Sequence, residues 1–137
     1  MAAATLGRMA RILVIDDEPA LRLVVAAPLR RAGHEVEQAG GGHEALARLA
    51  QGGIDIAVCD LGMPDMHGLD VLRQSRGAGH AVRFVMMTAF GAQETMQEAL
   101  AAGASDYLVK PVRSEELLAR IAQLVECAPA QSTLRGS

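Results

Sequence analysis

Apolar residues in this chain fall into five short blocks, with longer stretches of helical spacing between them. Ile12-Leu13-Val14-Ile15 is an unbroken, mostly β-branched run, which predicts a buried strand. Pro19 suits the first turn of a following helix, where its missing N–H is no loss. Leu21, Val24, Val25 and Leu29 then recur at helical spacing up to Gly33. Pro28 lies inside that pattern, where its ring should clash with the Val24 carbonyl at a cost of about 3 kcal/mol, so a bend is expected. Glu35-Val36-Glu37-Gln38-Ala39 is a weaker, more polar strand suited to a sheet edge. After Gly40-Gly41-Gly42 comes a helix with Ala45, Leu46 and Leu49 on one face, closed by Gly52-Gly53.

The third block, Ile54 to Cys59, is apolar at almost every position, as expected of a strand buried on both faces. It ends on Asp60 and is broken by Gly62 and Pro64. Leu69, Val71 and Leu72 open a third helix that ends in the glycines at 77 and 79. Phe84-Val85-Met86-Met87 is a fourth buried strand, ending at Thr88. A helix over about 92–102 follows, with Gly103 as its C-terminal cap. Tyr107-Leu108-Val109 is a short fifth strand ending at Lys110-Pro111. Ser114 is a good N-cap before Glu115 and Glu116, and the last helix runs to about 126. Strands alternating with helices predict a parallel sheet covered on both faces, an α/β domain over 10–126. Residues 1–9 read as an N-terminal tail and 127–137 as a linker or C-terminal tail.

Composition narrows the function classes. A 137-residue chain is one domain, and a net charge of −3 gives no electrostatic help to nucleic-acid binding. No stretch approaches the roughly 18 apolar residues of a membrane span, and the N-terminus lacks the features of a signal peptide. The cytoplasm is therefore the expected location. Cys59 and Cys127 have no metal or redox spacing and read as small buried or half-buried thiols. His34, His43, His67 and His80 fit no metal set and read as surface or turn residues. The three glycines at 40–42 lack the spacing of a phosphate-cradling loop.

Four strands end in residues that can do chemistry: Asp16-Asp17, Asp60, Thr88 and Lys110. Each alone has a plain structural reading, as a turn former, a β-branched strand residue or a solvated charge. In a parallel sheet, however, all these ends converge on one edge. Clustered carboxylates require a proton or a cation among them, and oxygen-only ligands suit a hard cation such as Mg²⁺. A carboxylate acceptor, a metal, an ammonium and a hydroxyl are the parts that phosphoryl transfer needs, with Asp60 as the acceptor.

The stretches Val14-Ile15-Asp16-Asp17-Glu18-Pro19, Asp60-Leu61-Gly62-Met63-Pro64-Asp65-Met66-His67-Gly68, Met87-Thr88-Ala89 and Ala102 to Pro111 resemble those of response-regulator receiver domains of two-component signalling, the CheY-like family. The resemblance implies a three-layer (βα)5 doubly wound, flavodoxin-like fold with a five-stranded parallel sheet in the order 2-1-3-4-5. It implies that Asp60 accepts a phosphoryl group from a sensor histidine kinase or a histidine phosphotransfer protein. Mg²⁺ would be bound by Asp16, Asp17, Asp60 and the backbone carbonyl of Gly62, with Asp16 acting mainly through water. Lys110 would pair with the phosphoryl group, Thr88 would move toward it, and Tyr107 would turn inward as Thr88 moves. The Lys110–Pro111 bond would be cis.

The output would be a change in the 92–126 surface, which controls a downstream partner or the protein's own output domain and is also a candidate homodimer face. Direct nucleic-acid binding by this domain is not expected. Nor is turnover of an external substrate, because the domain would catalyse only its own phosphorylation and dephosphorylation. A phosphohydrolase using Asp60 commonly has a second aspartate two residues on, where this chain has Gly62. A scaffold that binds without phosphorylation would not need the intact set Asp16, Asp17, Asp60, Thr88 and Lys110.

Two positions are expected to tune the lifetime of the phosphorylated state. Gly62 has no side chain to orient a water, and Phe90, two residues after Thr88, is bulky and apolar. Phe90→Ala should therefore speed the decay of phosphorylated protein. An unchanged decay rate would remove Phe90 from this role.

Overall fold

The computed structural model describes residues 9–89 and 93–136, side chains included except at 93 and 127–136. The five apolar blocks form strands β1 (Arg11–Ile15), β2 (Glu35–Ala39), β3 (Ile56–Asp60), β4 (Arg83–Thr88) and β5 (Asp106–Val109). Between and after them lie helices α1 (Pro19–Arg31), α2 (Gly42–Ala50), α3 (Gly68–Gly77), α4 (Gln93–Ala101) and α5 (Ser114–Gly136). All strand pairs are parallel, and the sheet order is β2-β1-β3-β4-β5. The expected three-layer, doubly wound architecture and its strand order are thus observed.

Strand alternation sends side chains to two separate cores. Leu13, Ile15, Ala57, Cys59, Phe84 and Met86 face one side, where Ala45 and Leu49 of α2, Leu69 and Leu72 of α3 and Ala99 of α4 cover them. Ile12, Val14, Ile56, Val58, Val85 and Met87 face the other, under Val25 and Leu29 of α1 and Leu117 and Ile121 of α5. Both faces of the central strands are therefore dry, and every residue of β3 is buried. β2 is half-exposed and lies at the sheet edge, as its polar sequence predicts.

The largest differences from the sequence reading are at the start of β3 and the end of α5, while α1 forms as expected. β3 begins at Ile56, not Ile54, and includes Asp60 as its last residue. Gly53 at φ +88° turns the chain into the sheet, and Asp55 is already bonded on both sides, donating to the Arg11 carbonyl and accepting from the Arg83 amide. α1 continues through Pro28 as one element to Arg31. On that helix Val25 and Leu29 are buried, but Leu21 and Val24 of the same apolar spacing are 39% and 57% exposed. The backbone of α5 stays helical to Gly136, beyond the expected end near 126.

The histidines hold turns and helix starts. His67 caps α3 by accepting from the Leu69 amide, and Ser75 and His80 meet at 3.4 Å. The Nδ1 of His34 accepts from the amide of Ala10 at 3.0 Å, tying the α1–β2 turn to the residue before β1. That bond requires an unprotonated Nδ1, and burial holds the His34 pKa below its ordinary value. As pH falls the unfolded chain takes up this proton first. The stability from neutral His34 is therefore complete above about pH 6.5 and is lost below it. His34→Gln should flatten the dependence of the urea midpoint on pH across about pH 5 to 8. Equal slopes for the two proteins would show that His34 carries none of it.

Candidate functional site

Register places the chemistry. Ile15 pairs with Ala39 on one side and Cys59 on the other, so Asp16 leaves the sheet level with Asp60. Asp60 in turn pairs with Met87, and Thr88 pairs with Val109, one residue before Lys110. The amide of Leu61 donates to the Met87 carbonyl at 3.0 Å, and that of Lys110 to the Thr88 carbonyl at 2.8 Å. These bonds extend the ladder one step past the strands and fix where each terminal side chain emerges. The Lys110–Pro111 bond is cis.

Asp16 and Asp60 are buried and Asp17 is half-buried. Carboxylate oxygens from all three lie within 4.8 Å of one another. At an effective dielectric of about 20, each such like-charge pair costs roughly 3–4 kcal/mol. The Nζ of Lys110 stands 2.9 Å from Asp60 Oδ1 and 3.7 Å from Asp16 Oδ2. Burial opposes the charge on Lys110, but the hydrogen bond and charge of Asp60, with Asp16 behind it, outweigh burial and raise its pKa. One ammonium does not balance three carboxylates. The residual charge of −2 equals that needed to hold one divalent cation.

Asp16 Oδ2 is a buried oxygen without a hydrogen-bond partner, while Oδ1 accepts from the Glu18 amide at 3.0 Å. A buried acceptor left open at the mouth of an all-oxygen cluster fits a hard cation. Arg22 on α1 holds the backbone here, donating to the Asp16 carbonyl at 2.8 Å and to Gln38 on β2 at 3.0 Å.

The remaining expected residues lie around this cluster in different states. Thr88 is buried at the adjacent strand end, and its hydroxyl donates to the Ala89 carbonyl at 3.4 Å. Gly62 lies on the exposed loop after β3, and a Cβ added there would meet open space. Tyr107 is half-buried on β5 and borders a small pocket with Met96 and Leu100 of α4. Phe90 lies outside the described residues. Cys59 is free and buried beside Asp60, and desolvation, helped by the Asp60 and Asp16 charges, pushes its thiol pKa far up. A groove of about 370 Å³ opens over Asp16 and Lys110, walled by the exposed Leu21 and Val24 of α1 and by Pro111 and Val112.

Sequence reasoning missed two contributors, Arg22 and Asp65. Asp65 accepts from the amides of Gly42 and His43 across 23 and 22 positions of sequence. The one available signal was that α2 starts on Gly41-Gly42 with no capping side chain of its own.

An acidic, cation-ready cluster at the carboxyl edge of a doubly wound parallel sheet defines the class of protein. The chain belongs to the response regulator receiver domain family, whose model matches residues 12–122, and is a receiver domain of two-component response regulators. It is 42% identical over 115 residues to the two-component response regulator PhoP of Pseudomonas aeruginosa, covering 84% of this chain and 51% of the relative. It is 40% identical over 106 residues to the transcriptional regulatory protein ZraR of Salmonella typhimurium, covering 77% and 24%. The chain thus spans about half the length of PhoP and a quarter of ZraR. Among solved structures, chemotaxis protein CheY4 of Vibrio cholerae superposes with a TM-score of 0.79 at 35% identity, over 85% of this chain and 98% of that one. A CheY-like receiver domain of Methanospirillum hungatei gives 0.84 at 29% identity, over 90% and 98%.

The packing behind Asp60 gives a test of the site's frame. Gly68 opens α3 directly under Asp60, and a Cβ there would run into the Asp60 carbonyl oxygen and stand 2.8 Å from Leu61 Cα. Both are backbone atoms that cannot turn aside. Gly68→Ala should cost about 1–3 kcal/mol in urea unfolding. A change under about 0.5 kcal/mol would show that the loop yields freely.

Proposed function

We propose that this domain is switched by phosphorylation of Asp60. The observation that carries the reading is the 2.9 Å pairing of Lys110 with a buried Asp60 beside two further aspartates. The donor is a phosphohistidine on a sensor histidine kinase or a histidine phosphotransfer protein. An Asp60 oxygen attacks phosphorus, and the P–N bond to the donor imidazole breaks. The imidazole nitrogen keeps that electron pair and takes up a proton. Dephosphorylation is attack by water on the same phosphorus, returning the Asp60 carboxylate and inorganic phosphate.

Asp16, Asp17, Asp60 and the Gly62 carbonyl would hold Mg²⁺, which supplies charge neutralisation for the phosphoryl oxygens. Lys110 follows the charge, exchanging its contact with Asp60 for one with a phosphoryl oxygen. Thr88 has only a long bond to Ala89 to give up, so its hydroxyl is free to turn toward the phosphoryl group. Tyr107 follows into the space that Thr88 leaves. The added charge of nearly −2 thereby biases the 92–126 surface between two arrangements. That surface reports to a downstream partner or to an output domain, and it is the candidate homodimer face. The apolar groove over Lys110 gives the donor a surface to settle on, and the cytoplasm is where such donors present phosphohistidine.

The test is incubation with Mg²⁺ and a small acyl or amide phosphodonor, followed by intact-mass measurement. One Mg²⁺-dependent phosphoryl adduct per chain is expected, absent in Asp60→Ala and formed much more slowly in Lys110→Ala. Sustained turnover of external phosphoesters would indicate a phosphohydrolase instead. A chain that takes up no phosphate would act as a binding scaffold.

A further inference from the structure

The loop between β3 and α3, residues 61–67, carries Gly62 and is braced at both ends. At its far end the Gly68 amide donates to the Leu61 carbonyl at 2.8 Å. Toward the outside the brace is Asp65. Its Oδ1 accepts from the Gly42 amide at 3.0 Å, and its Oδ2 accepts from the His43 amide at 3.1 Å and meets His43 Nδ1 at 3.0 Å. These amides are the first donors of α2, where a carboxylate is favoured by the exposed N–H groups and by the helix dipole.

The glycines of the 40–42 run are shaped to receive this loop. A Cβ on Gly41 would stand 2.9 Å from both Asp65 oxygens, and one on Gly42 would stand 2.7 Å from Met66 Cβ. Gly41 has φ −179°, an extended conformation open to any residue, so what a side chain there would disturb is the seat of Asp65 and not the backbone. The two Gly42 and His43 amides, then the His43 ring, pull the Asp65 pKa down to about 2, so the brace stays charged at any physiological pH.

We propose that Asp65 is a positioning residue for the metal and acceptor site: by clamping loop 61–67 onto the start of α2 it presets the Gly62 carbonyl beside Asp60, Asp16 and Asp17. This rests on the reading of that cluster as a Mg²⁺ site. Asp65 itself reaches the helix and not the cluster, so its effect passes through the loop backbone. The clamp explains why α2 has no capping side chain of its own: the cap comes from the loop that α2 steadies.

Mg²⁺ affinity of the full chain, measured by isothermal titration calorimetry, separates the possibilities when combined with hydrogen exchange at the Gly42 and His43 amides without metal. Asp65→Ala should speed exchange at both amides and weaken Mg²⁺ binding roughly tenfold, as loss of an outer supporting contact does. Asp65→Asn keeps one acceptor oxygen without the charge and should recover most of that affinity. Gly41→Ala keeps the Asp65 charge but evicts it from the helix start, and should weaken binding as Asp65→Ala does. The double variant Gly41→Ala with Asp65→Ala should be no weaker than either single one. Gly41→Ala also serves if Asp65→Ala does not fold. Affinity within about twofold of wild type in both alanine variants, with the amides exchanging faster, overturns the inference alone. So does an Asn variant as weak as Ala, because that marks a simple charge effect. A wild-type chain that binds no Mg²⁺ overturns the metal site and this inference with it.

Discussion

Three carboxylates gathered at one edge of a sheet, with a single ammonium among them, are the constraint on which the rest of this structure depends. Their mutual repulsion is relieved in part by Lys110, whose Nζ lies within 4 Å of two of them. Such a cluster persists only where the surrounding fold supplies stability from elsewhere. Here it comes from two dry cores, one on each face of the sheet, in which almost every residue of β1, β3 and β4 is fully buried. At the carboxyl ends of these three strands the polar side chains Asp16, Asp60 and Thr88 come together.

The same arrangement holds the two sides of the edge differently. Asp16 and Asp60 are held by the sheet, the Asp16 carbonyl by Arg22 and the Asp60 carbonyl by the close packing of Gly68. Thr88 and Lys110 stand on the neighbouring strand ends with few competing partners, Thr88 holding a single long bond to Ala89. Beyond them, Tyr107 borders a small pocket against Met96 and Leu100, and Leu100 is 43% exposed. The β1–β3 side of the edge is thus tied by Arg22 and close packing, whereas the Thr88 hydroxyl on β4 has a long bond to Ala89.

Helix starts and loops supply the accessory order. α2 is capped by Asp65 from the loop after β3, and α3 by His67 from that same loop. One short segment thus steadies two helices and carries the Gly62 carbonyl. The close approach of Gly41 and Gly42 to Asp65 and Met66 explains a glycine run that has no phosphate-binding pattern.

The sequence by itself determined the elements and their faces. Runs such as Ile12–Ile15 and Ile56–Cys59 are apolar at both parities, so they had to be buried on both sides, and helical spacing between them required parallel pairing. That was enough to bring Asp16, Asp17, Asp60, Thr88 and Lys110 to one edge, because strand polarity alone decides which ends coincide. Tertiary structure decided what local pattern does not encode. It exposed Leu21 and Val24, because α1 buries Val25, Ala26, Pro28 and Leu29 and leaves Leu21 and Val24 to wall a groove. It set the 2.9 Å between Lys110 and Asp60, left Asp16 Oδ2 without a hydrogen bond, and brought Asp65 onto α2 across more than twenty residues. Each of these is a contact between side chains and backbone of different elements. Hydrophobic periodicity reports burial along one element and says nothing about distances between two.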